Sequence, residues 1–229
     1  MKRLYVILSD GHGEDTEHKG SPIFRTATKV GDVEFLPGER FQENYFNASV
    51  SNLVEKKLKR LGFPVQQLAP EDADIPLSVR KTRQHAIHHL AEKRGFLPIT
   101  LSIHANGLGD GSAWNTAQGI ETYHKGNCPE SLRLANIIQR NVIDFRKHYQ
   151  PYNTRTDRGV KTANFYVFRN YKGIVVLPES EFMTNLETLK LLCSDSFILN
   201  TAVAYVKAVE EFQGFSHLVD ADPKNEKRV

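Results

Sequence analysis

Apolar and polar positions along the chain fall into a repeating order of short apolar runs and longer amphipathic stretches. The run Leu4-Tyr5-Val6-Ile7-Leu8 has no charged break, the pattern of a strand covered on both faces. Over residues 44–61 the side chains of Phe46, Val50, Leu53, Val54, Leu58 and Leu61 recur at helical spacing, and Gly62 supplies a stop. A second helix is predicted over 78–94, with Val79, Ala86, Ile87, Leu90 and Ala91 inward and Gly95 at its end. Residues 98–103 and 119–124 predict strands, and 129–148 a long amphipathic helix. Two further strands are expected over 164–168 and 174–177, then a single last helix over 186–212. Residues 14–42 carry few periodic signals and many turn formers. They predict a long excursion or lid, with a short hairpin around Val33 to Phe35.

Strands alternating with helices predict an α/β fold. The expectation is a single domain: a mostly parallel or mixed central sheet of about six strands with helices on both faces, of the phosphorylase or hydrolase-like kind. No linker, repeat or low-complexity block interrupts it. The expected catalytic domain spans 1–214, followed by a polar tail over 215–229.

Composition changes this picture little. The 229 residues are 40% hydrophobic and 25% charged, ordinary for a globular protein with its own core. A net charge of +3 suits an anionic substrate but is too small to argue for nucleic acid. Cys128 and Cys193 form no CxxC pair and read as reduced thiols. The first apolar run is too short for the core of a signal peptide, and no stretch approaches the roughly 20 apolar residues of a membrane span. No stable membrane association is therefore expected.

Three phrases stand where apolar runs end: Asp10-Gly11-His12-Gly13, Ser102-Ile103-His104-Ala105-Asn106 and Val176-Leu177-Pro178-Glu179. Strand ends are where an open α/β sheet holds its ligands. Two histidines at the ends of separate strands, joined by a carboxylate, are the raw material of a catalytic zinc site. Glu43, opening the first helix, is a candidate third ligand, although an acid at a helix N-terminus is favoured by the dipole alone. Glu34, Glu39 and the cluster Glu14, Asp15, Glu17 and His18 compete with it. Glu179 suits a general base acting on zinc-bound water; Glu181, two residues on, would point the same way in an extended chain, so the residues alone leave both open. The loop from Gly107 to Trp114 reads either as a surface turn or as a groove wall on which Trp114 stacks. Residues 155–161 read as a basic loop, either solvated or facing substrate carboxylates. His85, His88 and His89 have metal-compatible helical spacing but no accompanying motif, and Arg80 and Arg83 on the same helix read as exposed. Together these features point to a metal-dependent hydrolase.

Six phrases in order carry a family resemblance. They are Gly11-His12-Gly13, Glu43-Asn44-Tyr45-Phe46-Asn47, Ser102 to Asn106, Gly119-Ile120-Glu121-Thr122-Tyr123, Gly159 to Arg169, and Val176 to Asn185. The set resembles the zinc-dependent N-acetylmuramoyl-L-alanine amidases of the type 3 family, from about residue 4 to 210. The resemblance implies Zn2+ held by His12, Glu43 and His104. It implies Glu179 as the catalytic glutamate, because that residue stands three before Phe182. Glu181 falls where the family has a small residue. The substrate implied is bacterial peptidoglycan, cut between N-acetylmuramic acid and L-alanine, with Trp114, Asn106 and Lys161 as expected substrate contacts. The expected setting is a phage or prophage endolysin, cytoplasmic until a holin opens the way to the wall. The alternatives are another zinc peptidase, carboxypeptidase-like, on the same fold, and a catalytically inactive wall-binding module.

Overall fold

A computed structural model describes residues 2–13, 16, 19–71 and 73–214. The tail over 215–229 and the competing residues Glu14, Asp15, Glu17 and His18 lie outside the described residues. The first strand, β1 (Leu4–Ser9), is buried on both faces, as its unbroken apolar run requires. Leu4, Val6 and Leu8 join the main core, while Ile7 points the other way, onto Leu68 and Ile87.

The remaining elements follow in order: β2 (Thr28–Val30), β3 (Val33–Phe35), α1 (Glu43–Arg60), β4 (Val65–Gln67), α2 (Leu77–Lys93), β5 (Leu97–Ser102), β6 (His104–Asn106), β7 (Ile120–Lys125), α3 (Pro129–Arg146), β8 (Asp157–Ala163), β9 (Ile174–Phe182), α4 (Leu186–Leu192) and α5 (Asp195–Gln213). Seven strands form one mixed sheet in the order β4-β1-β5-β9-β7-β8, with β6 also paired to β9. Pairings are parallel from β4 through β9, β7 is antiparallel to β9, and β8 is parallel to β7. Residues of α1, α3 and α5 fill the core on one face, and Ile87 of α2 covers the other. The β2–β3 hairpin stands apart from this sheet. Among the described residues no single helix is long and apolar enough to cross a membrane.

Five expectations need correction. The last helix is two, α4 and α5, bent by 69° at Cys193 and Ser194. The hairpin explains the break: Asp32 donates its backbone N–H to Cys193 O, and its side chain accepts from Asp195 N, each at 2.9 Å. Backbone groups orphaned by the break thus find partners. Residues 164–168 are a turn closed by Phe168 N donating to Phe165 O, and the strand lies before it. Their apolar run suggested a strand, but Phe165, Val167 and Phe168 pack instead in a small cluster with Tyr171 and Leu177. Most of the predicted basic loop is therefore β8, at the end of the sheet, where charged side chains guard against further pairing.

On α2 the inward face is Arg80, Gln84, Ile87 and Ala91, whereas Val79, Ala86 and Leu90 are exposed. The periodicity misleads there because Arg80 and Gln84 on that face border the cleft. The excursion over 14–42 is also pinned at its neck. Gly20 bridges to Gln42, and Ser21 N donates to Phe41 O at 2.9 Å. Its hairpin packs beside α4, and among the described residues of the excursion Lys19 and Gly20 line the cleft.

Candidate active site

Three parallel strands, β1, β5 and β9, deliver their carboxyl ends to one cleft of about 310 Å³. This is the edge at which open α/β sheets place ligands. His12 follows β1, His104 opens β6 directly after β5, and Glu43 is the first residue of α1. The thirty residues between His12 and Glu43 do not part them, because the closed neck brings Glu43 back: its N–H donates to Lys19 O at 2.9 Å.

The ligand atoms offered by His12, Glu43 and His104 all lie within 4.8 Å of one another. His104 Nδ1 is 2.8 Å from Glu43 Oε1, and His12 Nε2 is 3.7 Å from Glu43 Oε2. The imidazole rings meet edge to face at 5.6 Å. Surrounding groups hold these side chains in place. Asn47 Nδ2 donates to Glu43 Oε1 at 3.0 Å, Ser102 Oγ lies 3.2 Å from His104 Nε2, and Asn44 donates to the backbone carbonyl of His12. Two glycines make the convergence sterically feasible. At Gly11, whose φ is +74°, a Cβ would sit 2.5 Å from Asn47 Nδ2 and 2.8 Å from His104 Cε1. At Gly13 it would sit 2.1 Å from the backbone nitrogen of Asp74. Two imidazole nitrogens and one carboxylate are the donor set of a catalytic zinc site, which keeps a position open for water. The residues therefore fit the metal.

Charges in the cluster are strongly perturbed. Burial opposes charge on Glu43, but the hydrogen bond from His104 and the adjacent imidazoles win and hold its carboxyl down to about 2. Burial lowers His12 to about 4, against the pull of Glu43. His104 is raised, because its contact with Glu43 outweighs desolvation. A neutral His12 is ready to donate a lone pair.

Glu179 lies on β9 in register with His104 on one side and Glu121 on the other. It lines the cleft, yet its Oε2 is sealed from solvent and has no hydrogen-bond partner among the described residues. Burial pushes its carboxyl up to about 8, with Glu43 and Glu121 adding to the effect and His104 opposing it. An unpaired, desolvated carboxyl of raised pKa beside a metal-ligand cluster is placed to exchange a proton.

Glu181 does not share that position. Its φ of +63° turns the chain, and the fully buried side chain accepts from Arg146 Nε at 2.5 Å and Gly119 N at 2.7 Å. The extended-strand expectation fails at this residue, and the cleft has one free glutamate at this strand end.

The expected substrate contacts separate. Asn106 lines the cleft and donates to Glu121 Oε1 at 2.8 Å. Lys161 pairs with Glu121 and is not among the residues lining the cleft. Trp114 also lies off the lining, tilted against Phe24 at 5.4 Å. Glu34 and Glu39 are exposed and take no part in the cluster. His85, His88 and His89 join no group of metal-ligating side chains among the described residues; His88 instead bonds Tyr171 OH at 3.0 Å.

Two features escaped the residue-level reading. Arg80 is buried, 3.4 Å from Asp10 and 3.5 Å from Asp74, so it ties α2 to the segment leading into His12. Burial raises the Asp10 carboxyl despite that arginine. Glu121 is a buried hub receiving Asn106, Tyr123, Arg158 and Lys161. It stood inside the Gly119–Tyr123 phrase, the one signal that marked it.

The family model described as N-acetylmuramoyl-L-alanine amidase matches residues 6–211. Two similar proteins come from Bacillus subtilis strain 168. YqiI is 28% identical over 196 residues, covering 85% of each chain. The N-acetylmuramoyl-L-alanine amidase LytC is 32% identical over 189 residues, or 79% of this chain but 34% of LytC. Among solved structures, the catalytic domain of the amidase CwlV from Bacillus (Paenibacillus) polymyxa var. colistinus aligns with a TM-score of 0.62. It is 23% identical, with 93% of this chain and 99% of that one covered, and supports the α/β architecture. Fold, ordered phrases and the match over nearly the whole chain lead to one conclusion: this protein belongs to the type 3 N-acetylmuramoyl-L-alanine amidase family.

Proposed function

We propose that the chain is a zinc-dependent peptidoglycan amidase, cleaving the amide between N-acetylmuramic acid and the L-alanine of the stem peptide. The carrying observation is the unpaired, shielded Oε2 of Glu179 in the same cleft as the His12–Glu43–His104 cluster. His12, Glu43 and His104 would hold the ion. A zinc ion bound there supplies Lewis acidity, polarising the scissile carbonyl and making water more acidic. Glu179 accepts the proton of the attacking water and returns it to the departing alanine nitrogen. Asn47 and Ser102 keep Glu43 and His104 aimed inward, so the donor set needs little reorganisation on loading.

Digestion of purified cell walls, with mass analysis of the soluble products, tests this reading. Peptides beginning at alanine are expected, with release stopped by chelation and restored by added zinc. Glycan fragments, or peptides cut internally, would assign a different reaction to the fold. Zinc binding without cleavage of any wall would leave the wall-binding module.

A further inference from the structure

The mixed sheet has a second set of strand carboxyl ends. β7 runs antiparallel to β9 and β8 runs parallel to β7, so these two strands end at the pole opposite the cleft. Lys125 closes β7 and Ala163 closes β8. Carboxyl ends of parallel strands are where α/β sheets hold ligands, and an open hollow of about 520 Å³ lies beyond this pair. Lys125 and Asn127 line it from the end of β7, and Asn164, Arg169 and Asn170 from the turn after β8. It shares no lining residue with the cleft.

The hollow is rich in donors, and no carboxylate lines it. Lys125 Nζ donates to Tyr171 O, one of the three hydrogen bonds an ammonium can make. Arg169 Nε donates to Asn164 O at 3.0 Å, which leaves the two terminal nitrogens of the guanidinium for a ligand. Both partners are backbone carbonyls, so neither cation is neutralised by them. Asn127, Asn164 and Asn170 are exposed, and their carboxamides add neutral donors.

Backbone conformation also marks this place. Among the described residues three non-glycine positions hold a positive φ, and two of them, Asn127 at +58° and Asn170 at +55°, line the hollow. Asparagine tolerates this conformation better than most residues, yet a cost remains, and such positions concentrate where ligands are clamped. The cationic donors come from two elements, a strand end and a turn. A phosphate offers three or more acceptor oxygens pointing in different directions and suits such a hollow, whereas a carboxylate offers two in one plane.

We propose that this hollow is a binding site for a phosphate group, held by Lys125 and Arg169 through charge-assisted hydrogen bonds, with the asparagine carboxamides completing its shell. A phosphate-bearing ligand is thereby held at one pole of the sheet while the cleft at the other stays open.

Titration of the isotope-labelled full chain, followed through its amide NMR signals at constant ionic strength, tests the site. The probes are inorganic phosphate, dimethyl phosphate and acetate. Phosphate is expected to shift the N–H signals of Gly126, Asn127, Arg169 and Asn170, and to bind about tenfold more tightly than acetate, the scale of one charge-assisted hydrogen bond. Arg169→Gln and Lys125→Gln are each expected to weaken phosphate by about tenfold. Lys172 is exposed and close in sequence but outside the lining, and Lys172→Gln is expected to change affinity by less than about twofold. Arg169 is exposed, so its variant carries the test if losing the Lys125 bond to Tyr171 prevents folding. Dimethyl phosphate separates the sources: binding at the same signals extends the site to a bridging phosphodiester, and its exclusion while phosphate binds assigns the site to a free or terminal phosphate. Shifts only in the cleft, no shift with either phosphate up to about 20 mM, or acetate binding as tightly as phosphate would overturn the proposal. Equal losses in Lys172→Gln and Arg169→Gln would also overturn it, because they would mean diffuse attraction to surface charge.

Discussion

Replacing Glu179 with glutamine is expected to lower turnover on cell walls by about a thousandfold, within the range for loss of a positioned general base. Zinc content is expected to stay the same. The substitution preserves shape, so β9 keeps its register with β6 and β7. It removes only the capacity of the sealed oxygen to take a proton. The metal cluster does not include Glu179, whose backbone neighbour in the sheet is His104. Kinetics and metal analysis on the same preparation make the assignment testable. If zinc fell with activity, Glu179 would be a ligand. If turnover stayed within about threefold of wild type, proton transfer would lie elsewhere, since so small a change is less than 1 kcal/mol of barrier.

That assignment separates what could be read from the residues from what could not. The possible metal cluster was legible in part: His12 follows β1, Glu43 opens α1 and His104 opens β6, while the resemblance carried by the six ordered phrases, rather than local pattern, chose Glu43 and Glu179 over their competitors. The unbroken apolar run of β1 likewise announced a strand buried on both faces. Tertiary contacts hid the rest. The α4–α5 break depends on Asp32, more than 150 positions away in sequence, supplying partners to helix-end backbone. The inward face of α2 is half polar because it borders a cleft, and no hydrophobic period reports a cleft. The contact of Trp114 with Phe24 of the excursion is likewise a tertiary one that its glycine-rich loop does not announce. Glu181 looked equivalent to Glu179 because alternation was extrapolated through a residue with positive φ.

Glu181 also carries the largest stability effect to be expected outside the apolar core. Removing it as Glu181→Ala is expected to cost roughly 3–5 kcal/mol, the usual penalty for breaking a buried ion pair. The guanidinium left behind is nearly inaccessible: the Arg146 side chain is 1% exposed. Arg146 also donates to Tyr149 O and Pro151 O, each at 2.7 Å, so it cannot swing to solvent without releasing the segment after α3. Glu181 in turn holds Gly119 N, at the entry to β7, and its loss would leave that N–H buried and unpaired. No backbone relief offsets this loss in Glu181→Ala, because alanine still carries a Cβ in the left-handed conformation, whereas glycine would gain there. Glu181→Gly should thus be no worse than Glu181→Ala on backbone grounds, despite deleting more atoms. Chemical denaturation read alongside the double variant Arg146→Met/Glu181→Leu isolates the electrostatic part. Partial recovery of the stability in the double variant is expected, since an apolar pair leaves no buried charge, while Gly119 N, Tyr149 O and Pro151 O stay without their partners. A single variant losing less than about 1 kcal/mol would place the pair among weak, solvated ones, contrary to its burial. The pair sits two residues beyond Glu179, so fixing this end of β9 also fixes the direction in which the catalytic carboxylate enters the cleft.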